Sequence, residues 1–91
     1  MPVAHRNSDL RACGAQTIVQ GQSTVTVNGK LWAVKGDPES HGNGELINTF
    51  TGVYIHGIPV IVNTPDPATV DDATHSNTQT AQGSPNVYAY S

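Results

Sequence analysis

The sequence predicts a small all-β domain spanning residues 1–91, built from three β-hairpin-like repeats. Threonine, valine, asparagine and glycine are abundant and runs of leucine or alanine are absent, a composition that favours short strands and turns. A set of matching residues also recurs at a fixed spacing. No segment has a sustained apolar period of about 3.6 residues, so we expect almost no helix.

The first repeat reads as a strand, a tight turn and a return strand. Thr24-Val25-Thr26-Val27 alternates polar and apolar residues, which is typical of a half-buried strand. Asn28-Gly29 follows, and this pair favours a type I′ turn because both of its central residues need positive φ. Residues 30–34 then form the return strand, which ends at Gly36-Asp37-Pro38, before the glycine-rich loop 41–44.

The second repeat has the same order of elements. Val53-Tyr54-Ile55 is the strand, His56-Gly57 the turn, and residues 59–62 the return strand, with Pro59 suited to a strand start or an edge. One constant offset relates all the matching pairs, which are Asp9 and Asp37, Cys13-Gly14 and His41-Gly42, Val25 and Val53, Val27 and Ile55, and Asn28-Gly29 and His56-Gly57. Such a period is typical of stacked or rotationally arranged units.

The third repeat is looser. Val60-Ile61-Val62 corresponds to Trp32-Ala33-Val34, and His75 takes the place of Cys13 and His41. The step from His41 to His75 is longer than the step from Cys13 to His41, which indicates an insertion that residues 65–67 and 71–72 accommodate as turns. The unit closes with residues 83–88, which echo residues 21–26.

Charge and cysteine content exclude several classes of function. The net charge is −3 with four Lys and Arg residues, so the chain lacks the basic surface that nucleic acid or anionic lipid requires. No apolar stretch approaches the roughly 20 residues of a membrane helix, and residues 1–6 lack the apolar segment of a signal peptide. A single cysteine excludes an internal disulfide, so a metal is the available staple for so small a core.

The repeated segments resemble the PAAR-repeat spike-tip family of contractile injection systems, which includes phage baseplate and type VI secretion tips. The family motif is Pro-Ala-Ala-Arg followed by Gly-Asp, a loop with His or Cys beside Gly, and a strand ending in Val-Asn-Gly. Residues 3–9 resemble a degenerate first copy, residues 31–37 a second and residues 59–64 a third. The chain departs from the family pattern in two respects: Pro-Ala-Ala-Arg is never spelled out, and the third loop is extended.

The resemblance implies a small conical or pyramidal fold with pseudo-threefold symmetry and a metal site near the vertex. The loops of Cys13, His41 and His75 would meet there, and thiolate with imidazole favours zinc, with iron as the less favoured alternative. The fourth ligand stays open: family members commonly combine three histidines with one cysteine, which favours His5. Water or a backbone-held group are alternatives, while His56 is expected on a turn at the opposite end. The wide base would sit on a trimeric β-helical spike protein.

The resemblance also implies a structural role. We expect a monomer without catalytic residues that caps and sharpens the central spike, is assembled in the cytoplasm and touches the target envelope only transiently. It would reside at a virion tail tip or leave the cell with an injection particle. The alternative is a zinc-stabilised β module that binds a peptide or a glycan. An enzyme is disfavoured because Glu39 is the only glutamate near the ligands and 91 residues leave little room for a pocket.

Several other residues have simpler interpretations. We expect His56 to be a turn residue like Asn28, and Asp9 and Asp37 to cap turns. Trp32 is expected to pack between the units or against the base. Asp71 and Asp72 are expected in a solvated loop. Three tyrosines are candidates for either strand surface or docking, and the sequence does not separate the two: Tyr54, Tyr88 and Tyr90.

Overall fold

A computed structural model describes residues 3–12, 14–40, 44–47, 52–63 and 79–89. Within these ranges the chain forms short β-strands and no helix, as the composition predicted. The strands are β1 (Val3–Ala4), β2 (Thr26–Val27), β3 (Lys30–Leu31), β4 (Tyr54–Ile55), β5 (Ile58–Pro59) and β6 (Val62–Asn63). They pair antiparallel as β1–β6, β2–β3 and β4–β5. No helix long and apolar enough to cross a membrane occurs in the described residues.

Both predicted hairpins are confirmed. Strands β2 and β3 are joined by Asn28 and Gly29, whose φ angles are 54° and 80°. His56 and Gly57 join β4 and β5 with φ angles of 52° and 80°. Two consecutive positive φ angles define the type I′ turn, whose twist matches that of the flanking strands. His56 is therefore the turn residue that the sequence predicted.

A third hairpin is assembled from the two ends of the chain. Val3 forms an antiparallel bridge with Tyr88, in the same relation as Leu31 with Thr26 in the first hairpin. One backbone bond recurs in all three units: Trp32 N–H to Val25 O at 3.1 Å, Val60 N–H to Val53 O at 3.1 Å, and Ala4 N–H to Val87 O at 3.0 Å. The acceptor residues of this bond are not evenly spaced, because Val53 and Val87 are further apart in the chain than Val25 and Val53. The longer spacing inferred for the third unit is therefore present in the structure.

A closed ring of backbone hydrogen bonds joins the three return segments. Ala33 N–H donates to His5 O at 2.9 Å, Ile61 N–H donates to Ala33 O at 2.9 Å, and His5 N–H donates to Ile61 O at 3.2 Å. The three residues are fully buried and are evenly spaced along the chain by the period of the repeat. Around the ring the same bridge occurs three times: Arg6 with Trp32, Val34 with Val60, and Ala4 with Val62. Each unit is thus bonded to both of the others.

A sharp turn follows the return segment that contains His5 and the one that contains Ala33. Asp9 Oδ2 accepts the Arg6 N–H at 2.9 Å, and Asp37 Oδ2 accepts the Val34 N–H at 2.8 Å. The residue before each aspartate has positive φ, 72° at Ser8 and 93° at Gly36. The interpretation of both aspartates as turn caps is therefore confirmed. The loop predicted around Asp71 and Asp72, like Tyr90, lies outside the described residues.

The hydrophobic core is thin, as expected for so short a chain. One buried cluster comprises Ala33, Leu46 and Ile61, with Val19 packed against it. A second comprises Val34, Ile55 and Val60, with Trp32, Val53 and Ile58 packed around it. The indole N–H of Trp32 donates to Ile61 O at 2.9 Å, so this side chain packs and bonds between units as predicted.

Candidate metal centre

Three of the four predicted ligands, Cys13, His41 and His75, lie outside the described residues. Among the described residues, no group of three or more His, Cys, Asp and Glu side chains is placed to hold a metal ion. Residues close in sequence to each of the three candidates are described.

A tight turn flanks Cys13. Arg11 N–H donates to Ala15 O at 2.8 Å, and Gly14 N–H donates to Arg11 O at 2.9 Å. Gly14 has φ 90°, a conformation that glycine adopts without steric cost. These bonds fix the backbone on both sides of position 13.

The segment that follows His75 reaches the residues next to Cys13. Ala12 N–H donates to Gln79 O at 2.8 Å, and Ala81 N–H donates to Leu10 O at 3.0 Å. Arg11 forms a bridge with Thr80 between these two bonds. Gln79 is four residues after His75, so the third repeat returns beside the first loop.

The segment that carries His41 reaches the same place. Ser40, its sequence neighbour, donates its N–H to Gln16 O at 2.9 Å, and Ser40 Oγ accepts the Gln16 N–H at 3.1 Å. Thr17 forms a bridge with Glu39. Two of the predicted ligand loops are therefore tied together by backbone and hydroxyl groups close in sequence to the candidates.

A buried ion pair joins equivalent positions of these two loops. Arg11 and Glu39 are separated by the period of the repeat, and each is two residues before a predicted ligand. Their side chains are both 0% exposed, and the distance from the Arg11 guanidinium to Glu39 Oε2 is 3.4 Å. Sequence reasoning did not single out this pair, although opposite charges at one repeat position were a signal that could have found it.

The fourth predicted ligand, His5, lies in the same buried network. Its Nδ1 is 2.7 Å from Gln82 O, and its Nε2 is 2.6 Å from Thr17 Oγ1, which also accepts the Arg11 Nε–H at 2.9 Å. Because a carbonyl only accepts, Nδ1 carries the proton, and Nε2 accepts the Thr17 hydroxyl. Coordination through Nε2 would require His5 to exchange its bond to Thr17 for the metal, so its role as a ligand stays a prediction.

A second polar cluster ties the hairpin turns to neighbouring units. The Thr24 hydroxyl lies 2.7 Å from His56 Nε2, and Asn28 Nδ2 donates to Asn86 Oδ1 at 2.9 Å. Asn28 Oδ1 in turn accepts the Ser84 hydroxyl at 2.5 Å. In two of the three units, the first turn residue therefore contacts the outer strand segment of another unit.

The second buried arginine, Arg6, belongs to this turn cluster. Its guanidinium binds both carboxylate oxygens of Asp9 at 2.8 Å and reaches Asn28 Oδ1 at 3.3 Å. The hydrogen bond that the Arg6 guanidinium donates to the Asp9 carboxylate raises the pKa of Arg6, against the opposing effect of burial. The cluster thus carries a satisfied charge pair that is separate from the pair near Cys13.

No protein-family model and no curated protein sequence matches this chain. Functional inference therefore depends on the repeat, on the hydrogen-bond ring and on the convergence of the three flanking segments. One thiolate with imidazoles is a donor set that zinc prefers. Residues 39–40 and 79–80, which lie close in sequence to His41 and His75, both contact residues 11–17 next to Cys13.

Proposed function

We propose that this protein is a PAAR-like tip that caps and sharpens the trimeric β-helical spike of a contractile injection machine, such as a phage tail. The observation that carries the proposal is the closed ring through His5, Ala33 and Ile61, with its three equivalent bridges. A single chain with three bonded, equivalent units is suited to a threefold-symmetric partner, because each unit can meet one protomer in the same way.

In this proposal the chain is a cone with the hairpins at its base. Positions 26, 54 and 88 are equivalent in the three units and are all exposed, Tyr54 by 55% and Tyr88 by 43%. Large exposed aromatic side chains are favoured at protein interfaces. We assign them to the surface that meets the spike, where strand edges could pair with the partner's last strands.

At the opposite end, Cys13, His41 and His75 would bind one zinc ion, with His5 as the fourth ligand. The convergence of residues 11–12, 39–40 and 79–80 supports this arrangement. The ion would supply a cross-link between three loops where the core is too thin to hold them. The remaining rigidity would come from the chain's own buried hydrogen bonds, which resist fraying when the tip meets a target envelope.

Capture by a spike fragment tests the proposal. The chain should be a monomer alone and should co-purify with a trimeric β-helical spike fragment at one copy per trimer, measured by light scattering. The double variant Tyr54→Asp/Tyr88→Asp should lose capture while keeping its circular dichroism spectrum. Ile18→Asp/Ile47→Asp is the matched control, because these residues are similarly exposed, at 39% and 41%, but lie outside the hairpins.

Two results would refute the spike-tip role. One is a failure of the wild-type chain to bind any trimeric spike. The other is tight binding of a peptide or glycan array without a spike, which would favour the β binding module instead.

Metal analysis tests the second part of the proposal. Purified protein should contain about one zinc ion per chain by mass spectrometry of the elements. Changing Cys13, His41 and His75 together to alanine should remove the ion and lower the melting temperature. A triple variant with unchanged metal content would exclude this ligand set.

A further inference from the structure

The Arg11 side chain is buried and extensively hydrogen-bonded near the proposed metal centre. The residue is 2% exposed, and its guanidinium N–H groups face five acceptors among the described residues. Nε–H donates to Thr17 Oγ1 at 2.9 Å. One terminal nitrogen donates to Glu39 Oε2 at 3.4 Å and to Gly44 O. The other terminal nitrogen donates to Asp37 O at 2.9 Å and to Pro38 O at 3.0 Å.

The positions of these acceptors in the sequence are informative. Pro38 and Gly44 are the third residues on either side of His41, so one guanidinium binds the backbone both before and after this candidate ligand. The backbone of Arg11 bridges to Thr80, which follows His75, and lies two residues before Cys13. Arg11 is thus in contact with the flanks of all three loops.

Stability alone does not explain why an arginine occupies this position. A buried ion pair contributes little net stability relative to apolar residues of the same volume, because both charges must leave water. The distinguishing property of arginine is its planar fork of donors, which can hold carbonyls lying in different directions. Lysine has the same charge but offers only a single compact ammonium group.

We infer that Arg11 is a positioning residue whose guanidinium holds the segment on both sides of His41 beside the segment that carries Cys13 before the metal arrives. This inference rests on the proposed metal centre. Groups that orient metal ligands typically contribute 10- to 100-fold to metal affinity, so Arg11→Lys should weaken binding by about that factor. The matched control is Arg6→Lys, which alters the other buried arginine, 6% exposed and paired with Asp9 in the turn cluster.

The test is a cobalt(II) titration of metal-free protein, followed by competition with a zinc chelator, at a temperature where circular dichroism shows every variant folded. Cobalt–thiolate absorption reports the site itself. We expect Arg11→Lys to bind 10- to 100-fold more weakly with altered absorption bands, and Arg6→Lys to bind like wild type. Amide hydrogen exchange without metal should be faster at Ser40 and Leu46 in Arg11→Lys than in Arg6→Lys.

The possible failures are distinguishable. If Arg11→Lys binds metal as tightly as the wild type, the positioning role is wrong but the metal centre stands. The same conclusion follows if Arg11→Lys and Arg6→Lys lose metal affinity equally. A wild-type protein that binds neither cobalt nor zinc overturns the metal centre and this role together. If Arg11→Lys does not fold, Arg11→Met/Glu39→Gln removes both charges at once, and tight metal binding by that folded variant would equally overturn the inference.

Discussion

Replacing Asp37 with alanine is expected to destabilise the protein severely, because one buried carboxylate holds three backbone N–H groups. Asp37 is 1% exposed. Its Oδ2 accepts the Val34 N–H at 2.8 Å, and its Oδ1 accepts the N–H groups of Gln20 and Gly21 at 2.9 Å each. The carboxylate therefore connects the turn at residues 34–37 to residues 20–21, which precede the first hairpin in the chain.

The size of the effect follows from the surroundings of the three donors. Val34 is fully buried, so its N–H would lose its acceptor out of reach of water, at a cost of about 1–3 kcal/mol. Gln20 and Gly21 are exposed, so their N–H groups can bind water, and each loses only a net ~0.5–1.5 kcal/mol. The total of about 2–6 kcal/mol is a large part of the ~5–15 kcal/mol that stabilises a typical domain.

Thermal and urea unfolding of metal-free protein, followed by circular dichroism, measure this loss without a contribution from bound metal. A loss of about 2 kcal/mol corresponds to a fall in melting temperature of at least about 8 °C in a domain of this size. Asp37→Asn is the control, because its amide oxygen can keep the Val34 bond while its NH₂ group faces the other donors, so its loss should be intermediate. A fall below about 4 °C for Asp37→Ala would refute the reasoning.

Three further predictions concern other contacts and use the same unfolding assay. Gly83→Ala should cost about 1–3 kcal/mol and exceed Gly21→Ala. At both sites the new methyl would meet a valine methyl, but at Gly83 it would also lie 2.9 Å from the Ala4 backbone oxygen, which cannot move aside as a side chain can; the reverse order would contradict this. His56→Val should cost about 1–2 kcal/mol because the turn needs positive φ, while His56→Asn should be near neutral, and neither should alter metal content. Trp32→Phe should cost only about 0.5–1.5 kcal/mol, since Ile61 O also accepts a backbone N–H; a larger loss would indicate that indole packing dominates.

The two continuous hairpins and the turn caps could be predicted from the sequence because their causes are local. Asn28-Gly29 and His56-Gly57 combine residues that tolerate positive φ with flanking alternation, and this selects a type I′ turn within a few residues. Asp9 and Asp37 bind an N–H group only three residues away. The repeat period also related Trp32-Ala33-Val34 to Val60-Ile61-Val62 correctly, since equivalent positions make equivalent backbone bonds.

The candidate site was predicted less completely. The three candidates that share a repeat position fall outside the described residues, so that part stays a prediction. His5 was proposed as a ligand from family resemblance, and the structure adds that it is fully buried with both ring nitrogens bonded. Neither its burial nor its partner Gln82, 77 residues away, is encoded in the residues next to it.

By itself, then, the sequence determined the all-β class, the two hairpins and the period of the repeat, because backbone sterics and short-range hydrogen bonds depend on neighbouring residues. Only the tertiary structure decided how the repeats meet. The third hairpin joins Val3 to Tyr88, and the ring links His5, Ala33 and Ile61. Arg11 forms a buried ion pair with Glu39. These contacts depend on the packing of segments far apart in the chain. Many pairings satisfy the local rules, and burial selects among them because buried backbone groups need hydrogen-bond partners.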